Sequence, residues 1–408
     1  MSQTLKPETA EHLLEVLKWA VAEKSSLDVR GNGTKQGFGR PMRTTHTLDL
    51  SGLSGIKVYE PHELFMTAYS GTPVADIEAA LRQNNQQMAF EPADLGPLLG
   101  MAEGTGTIGG VIACNLAGPR RIQAGAARDH FLGFNAVSGR GEVFKSGGTV
   151  VKNVTGFDLS KLIAGSFGTL AVMTEATFKV LPAAEKTRTV LALGLTDTRA
   201  MKAMSQALGS ANDVSGAAHL PAAQAARSGV SYVSGAGQAV TAVRVEGPGP
   251  SVEHRCQAIR GLWADKGAQL EELHSQNSAA LWKEIRDVRL LDAAEGKQVW
   301  RVSVPPMEGA GVGGELLGAS GGEVFYDWGG GLIWLAHDGC PDANHDQVRA
   351  AVAKAGGHAT LIRADADVRG LVPVFEPQPG PLGDITRRVK QGFDPEGVLN
   401  PGRMVEGV

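Results

Sequence analysis

Cysteine is nearly missing from this chain. Cys114, Cys256 and Cys340 are the three in 408 residues, and no two form a Cys-x-x-Cys pair. That count supplies neither a disulfide framework nor the ligands of an iron–sulfur cluster, and it suits a reducing compartment. No run of eighteen apolar residues occurs, so the sequence predicts no membrane-spanning helix. The first residues, "MSQTLKPETAEHLLEVLKWAVAEK", lack the basic start and unbroken apolar core of a signal peptide. A cytoplasmic location is expected, with any attachment to the inner membrane peripheral and made through a partner. The net charge is −4 and no basic block or stripe is present, which argues against nucleic acid as the main partner. No Ser-His-Asp or Cys-His constellation is legible. The histidines, including His358 and the one in "AHD" at 336–338, stand alone, and no metal site is expected.

Glycine is what the chain has in excess. There are 54 among 408 residues, well above the usual share of about 7%. They are interleaved with apolar residues rather than gathered in a linker. Two dense segments stand out: "DVRGNGTKQGFGRP" at 28–41 and "GMAEGTGTIGGVIACNLAG" at 100–118. The first superficially fits a Rossmann nucleotide loop, with Asp49 as the acidic residue beyond it. A Rossmann loop opens into an amphipathic helix, however, and here Gly37, Gly39, Arg40, Pro41 and the polar "RTTH" follow without helical periodicity. The loop therefore leads to another extended segment. Two such loops about 70 residues apart point to one extended anion held from two sides, because glycine lets successive amides face a concavity. Each amide bond to a pyrophosphate oxygen is charge-assisted, worth about 1.5–3 kcal/mol. Thr107-Ile108-Gly109-Gly110 opens a short helix whose N-terminal amides add to that field.

The length predicts two or three domains. An amphipathic helix is expected from about 8 to 24, and another in "TPVADIEAALRQNN" with Thr72 as N-cap and Pro73 in its first position. "HFLGFNAVSGRGEVFKSGG" reads as a hairpin, and "DLSKLIAGSFGTLAVMTEATFKVLP" as a helix, a glycine turn and a long strand. A boundary is placed at 182. Residues 183–345 alternate Ala-rich helices with strand candidates and are expected to form a smaller α+β domain. Residues 346–408 form a C-terminal segment. Cys114 is expected as a small buried residue in the helix after "TIGG".

"VRGNGTK", "GTGTIGGVIACNLAGPRR", "ARDHFLGFNAV", "VVKNVTGFDLSKLIAGSFGTLAVMTEATFKVLP" and "FDPEGVLNPGRM", in that order, resemble the PCMH-type FAD-binding flavoenzymes of the vanillyl-alcohol oxidase family. Within it the chain is similar to the FAD-binding subunits of bacterial glycolate oxidases, or glycolate dehydrogenases. The likeness covers residues 8 to about 182, then resumes near 280 and from 357 onward. It implies an α+β fold: a two-subdomain FAD-binding domain (1–182), a smaller α+β cap over the flavin (183–345), and a segment (346–408) that completes both cap and FAD site. Arg30, Gly31, Asn32, Gly33, Thr34 and Lys35 would then form the first pyrophosphate loop. Thr107, Ile108, Gly109 and Gly110 would form the second, with Ala113 and Asn115 facing the flavin. Arg128 and Asp129 would close the pocket, Thr169, Leu170 and Val172 would reach the adenine, and Asn400 would come from the tail.

Hydroxy-acid members carry a Trp-x-x-x-Arg segment whose arginine takes the substrate carboxylate. Trp282 and Arg286 match it, and Arg363 is a second basic candidate. A surface arginine paired with Glu284 or Asp287 is the competing reading of Arg286. The implied activity is oxidation of glycolate or a similar small 2-hydroxy acid, with electrons passed to a second FAD-linked subunit and an iron–sulfur subunit. The chain lacks the G-D-G-N-x-H metal motif of catalytic members, so a flavin scaffold or relay role is the alternative. None of the ten histidines lies within residues 30–39, and Thr105 holds the matching place in the second loop. Non-covalent FAD is therefore expected.

Overall fold

The computed structural model describes residues 3–149, 156–292 and 294–408. Residues 150–155, part of the quoted "VVKNVTGF" segment, lie outside them. The chain divides into two compact units. One comprises Met1–Ala117, Gly125–Ala183 and Pro373–Val408, and the other Gly118–Ala124 and Ala184–Val372.

In the first unit, helix Ala10–Ala22 begins after Thr9, whose hydroxyl accepts from the His12 amide. Leu13, Val16, Leu17 and Ala20 line its inner face and pack on Leu27, Leu48, Val137, Val172 and Leu399. The strand Leu27–Arg30 pairs in parallel with His46–Asp49 and delivers the chain directly into the first glycine loop. A five-stranded antiparallel sheet runs in the order Ile56–Glu60, Phe65–Tyr69, Ala171–Lys179, Phe131–Ser138 and Val143–Gly147. The expected hairpin is present, with Val137 opposite Val143. Helix Val74–Gln83 starts one residue later than expected. Pro73 takes the cap position, and the Thr72 hydroxyl is spent instead on the carbonyls of Tyr69 and Gly55 (2.6 and 3.0 Å).

The tail is anchored by a buried cation. Lys390 Nζ donates to Asp394 Oδ2 (2.7 Å), Thr169 O (2.7 Å) and Leu399 O (2.9 Å). Asp394 in turn accepts from the amides of Val398 and Leu399 (3.0 and 2.9 Å). Every proton of the ammonium is used, which is the condition under which a buried charge is tolerated.

The second unit is built on eight strands in the order Gln269–His274, Lys186–Leu193, Val240–Gly247, Val214–Leu220, Glu323–Asp327, Leu332–His337, Gln298–Ser303 and His358–Arg363. All adjacent pairs are antiparallel. The last strand moves one boundary: residues 346–372, expected in the C-terminal segment, lie in this unit, because the ladder to Gln298–Ser303 holds His358–Arg363 in its sheet. Only from Pro373 does the chain rejoin the first unit.

The excursion Gly118–Ala124 is tied to this sheet by charge. Arg120 Nε and Nη2 grip the Glu246 carboxylate at 2.9 and 3.0 Å, and Arg244 Nε lies 3.5 Å from it. Burial disfavours ionising Glu246, but the Arg244 and Arg120 guanidiniums outweigh it and bring the pKa to about 2. A depressed carboxyl pKa contributes stability above the ordinary value of 4.5 that is lost as pH falls toward about 2. Glu246→Gln should lower stability at neutral pH by about 3 kcal/mol and flatten the acid limb of the stability curve over that window. Urea unfolding at several pH values measures this, and an unchanged acid limb contradicts it.

Candidate cofactor-binding site

The first unit holds an open cavity. The strand ending at Arg30 brings residues 29–36 to one side of it, and the helix Ile108–Ala113 presents Gly109, Gly110, Ala113 and Cys114 from another. The turn and strand at 167–173 and the tail residue Arg403 complete the wall. The two glycine loops touch. A Cβ on Gly31 would stand 2.5 Å from Thr107 Oγ1, and one on Gly109 would stand 2.7 Å from the Ser70 carbonyl. Real Cβ atoms do not approach so closely, so glycine is required at both places. Gly33 has φ 72°, the left-handed region that a side chain disfavours.

The walls of this cavity are electropositive. Among the described residues, no hydrogen bond uses the amides of Asn32, Gly33, Thr34 or Lys35. Lys35 Nζ donates to Thr34 Oγ1 (3.2 Å) and reaches the second loop, 3.5 Å from where a Gly110 Cβ would be. Burial pulls this ammonium below its ordinary pKa, and the neighbouring Arg403 guanidinium adds to that effect. Arg403, itself buried, is positioned by bonds to the carbonyls of Lys35 (2.8 Å) and Phe38 (3.1 Å). Ser70 Oγ is buried at the cavity wall and finds no hydrogen-bond partner among the described residues. Amides without acceptors, two cations, an orphaned hydroxyl and a glycine-lined cradle fit the pyrophosphate of a dinucleotide. Val29, Leu50, Phe167, Ala171, Val172 and Met173 add an apolar wall for flat rings.

Eleven of the expected cofactor residues line this cavity: Arg30, Gly31, Asn32, Gly33, Thr34, Lys35, Thr107, Gly109, Gly110, Ala113 and Val172. The others lie outside its lining. Ile108 and Leu170 belong to the core under the helix. Asn115 Oδ1 accepts from the Arg128 amide (3.0 Å), while Asp129 Oδ2 accepts from the Ala126 amide (2.8 Å), so these residues shape a turn. Thr169 donates to Ser166 O and its carbonyl takes Lys390. Asn400 is buried behind the first loop, where Oδ1 accepts from the Val29 amide (2.7 Å) and Nδ2 donates to Phe167 O (2.7 Å). Cys114, expected as a small buried residue, is half-buried and lines the cavity. Burial pushes its thiol up, partly offset by Lys35 and Arg403. Ser70 and Arg403 were not singled out from sequence. Arg403 lies in the quoted "NPGRM" tail, but only the fold brings it beside Lys35.

The two carboxylate candidates lie in the second unit, and both are engaged. Arg286 Nε and Nη2 grip Asp287 at 2.8 and 3.0 Å, and Asp287 is fully buried. The paired reading is therefore the observed one, and the fork expected for a substrate is occupied. Trp282 donates to Thr189 Oγ1 (2.8 Å) and lies under Arg244, as part of the core. Arg363 Nη2 donates to Ala294 O (3.1 Å).

Two substitutions test the cavity. Gly31→Val should abolish retention of FAD, because its side chain would drive the loops apart at Thr107. Lys35→Met should weaken FAD binding by roughly 10- to 150-fold, the equivalent of one charge-assisted bond of about 1.5–3 kcal/mol. Flavin absorbance per chain after gel filtration, and titration of the stripped protein, measure both. A wild-type flavin content in Gly31→Val contradicts the assignment.

Comparison with known proteins agrees with this geometry. The FAD binding domain family matches residues 1–147. Glycolate oxidase subunit GlcE of Escherichia coli K12 is 35% identical over 398 residues, 97% of each chain. A D-lactate dehydrogenase of Archaeoglobus fulgidus is 30% identical over 179 residues, 44% of this chain and 38% of that protein. Among solved structures, 4-ethylphenol oxidase from Gulosibacter chungangensis superposes with a TM-score of 0.72 at 14% identity, over 99% of this chain and 89% of that one. The fold is thus the mixed helix-and-sheet architecture of PCMH-type flavoproteins, and FAD is the cofactor its first domain binds. The chain belongs to the family of the glycolate oxidase subunit GlcE.

Proposed function

We propose that the chain is the FAD-binding subunit of a multi-subunit glycolate oxidase or dehydrogenase, oxidising glycolate or a related small D-2-hydroxy acid. The observation that carries this is likeness to one glycolate oxidase subunit over nearly the whole of both chains, together with an intact dinucleotide cradle. When bound, FAD supplies the hydride acceptor for the carbinol carbon. The residues of this chain bind and orient it. The amides of Asn32 to Lys35, with Lys35 and Arg403, hold the pyrophosphate, and the wall from Phe167 to Met173 removes the flat rings from water. The further partners proposed are a second FAD-linked subunit and an iron–sulfur subunit. No helix among the described residues is long and apolar enough to cross a membrane. The proposed location is the cytoplasm, with contact to the inner membrane made through those partners.

A second reading assigns oxidation to a partner and leaves this subunit as a flavin scaffold or relay. The occupied fork of Arg286 favours it. Anaerobic mixing of the purified chain with glycolate decides between them. The oxidase reading expects bleaching of the flavin absorbance, and an unbleached flavin in a chain that has bound glycolate removes it.

FAD is held without a covalent bond on this reading. No histidine stands in the first loop, and the raised pKa of Cys114 keeps the thiol nearest the cavity protonated. Acid precipitation should leave a yellow, fluorescent supernatant; flavin retained in the washed pellet contradicts this.

A further inference from the structure

The hydroxyls of the cofactor cavity are not employed alike. Among the described residues, Thr34, Ser70 and Thr107 bring one to its wall. Thr34 Oγ1 accepts from Lys35 Nζ (3.2 Å), and Thr107 Oγ1 accepts from the Gly110 amide (3.3 Å). Ser70 is 2% exposed, and its Oγ finds no partner among the described residues.

The backbone holds Ser70 from every side. It directly follows the strand Phe65–Tyr69, and its amide donates to Thr174 O (3.0 Å). Its carbonyl accepts from the Gly109 amide (2.9 Å), and a Cβ on Gly109 would stand 2.8 Å from its own. The next amide, that of Gly71, donates to Leu53 O (2.8 Å), and a Cβ there would collide with Leu50 O. Ser70 is thus fixed by the sheet, by the second glycine loop and by the turn at 50–53. A buried hydroxyl without a partner lowers stability, and a methyl in its place would not. A polar group kept at such a cost points to a ligand in the adjoining space.

The same contacts show why a side-chain donor is wanted at this place. The helix Ile108–Ala113 turns its leading amides into the protein: Ile108 donates to Thr72 O (3.0 Å), Gly109 to Ser70 O and Gly110 to Thr107 Oγ1. The amides expected from the sequence to face the pyrophosphate are therefore consumed in capping the helix and joining it to residues 70–72. Ser70 supplies a donor at the point where Gly109 has none to spare.

We infer that the Ser70 hydroxyl donates to a phosphate oxygen of FAD, in place of the amides of Ile108, Gly109 and Gly110. A phosphate oxygen is an acceptor only, so the hydroxyl is fixed as donor and the bond is charge-assisted. The assignment is independent of which subunit oxidises the hydroxy acid.

Calorimetric titration of the full chain, stripped of FAD, with FAD, ADP and adenosine tests it. ADP carries the pyrophosphate without the flavin, and adenosine carries base and sugar without phosphate. Ser70→Ala should weaken FAD and ADP alike, by roughly 10- to 150-fold, the range of one charge-assisted bond, and leave adenosine unchanged. The stripped variant should melt at or above the temperature of the stripped wild type, because the orphaned hydroxyl is gone. Unchanged affinity for FAD and ADP overturns the inference. A loss for adenosine as large as that for ADP also overturns it, since the hydroxyl would then meet the nucleoside. So does a stripped variant that melts below the wild type or fails to fold, because the hydroxyl would then be a structural one.

Discussion

The fold of the first unit is organised around the contact of two glycine loops. Gly31 meets Thr107 and Gly109 meets the Ser70 carbonyl at separations that leave no room for a Cβ. That contact requires the strand Leu27–Arg30 to end where the helix Ile108–Ala113 begins, and the surrounding elements hold both in place. Asn400 does so from behind, bonding Val29 on one side and Phe167 on the other. Lys390 and Asp394 lock the segment that presents it. The chain thereby builds a concavity of bare amides and then adds Lys35 and Arg403 to it, an arrangement that a bound anion would stabilise by taking up the charge.

The second unit treats its cations in two ways. Arg244 and Arg120 share Glu246, Arg286 is gripped by Asp287, Arg188 reaches Glu272 and Glu253, and Arg227 reaches Glu323. These pairs neutralise charge inside or beside the sheet, and their geometry is that of structural bonds. Arg301 departs from that pattern, since it has an aromatic face beneath it rather than a carboxylate. The Trp-x-x-x-Arg spacing was present in the sequence, yet burial of Asp287 directly after Arg286 turned that arginine into a structural one.

Much of this was legible in the chain itself. The density and order of glycines, the absence of a helix after Gly39, and the lack of cysteine pairs or apolar spans depend on local rules: φ preference, periodicity and desolvation. They suffice to specify an anion-binding α+β domain and the loops that make it, while the flavin followed from the resemblance to PCMH-type flavoenzymes. What they leave open is which side chains survive as ligands once neighbours compete for them. Asn115, Asp129 and Asn400 are polar and lie in the right segments, but folding spends them on backbone groups. Arg403 and Ser70 reach the cavity through pairings hundreds or tens of residues apart, which no local pattern encodes. The path of residues 118–124 and 346–372 into the second unit was likewise settled by sheet pairing and by the Arg120–Glu246 bond, because long-range ladders and buried ion pairs exist only after the chain has closed on itself.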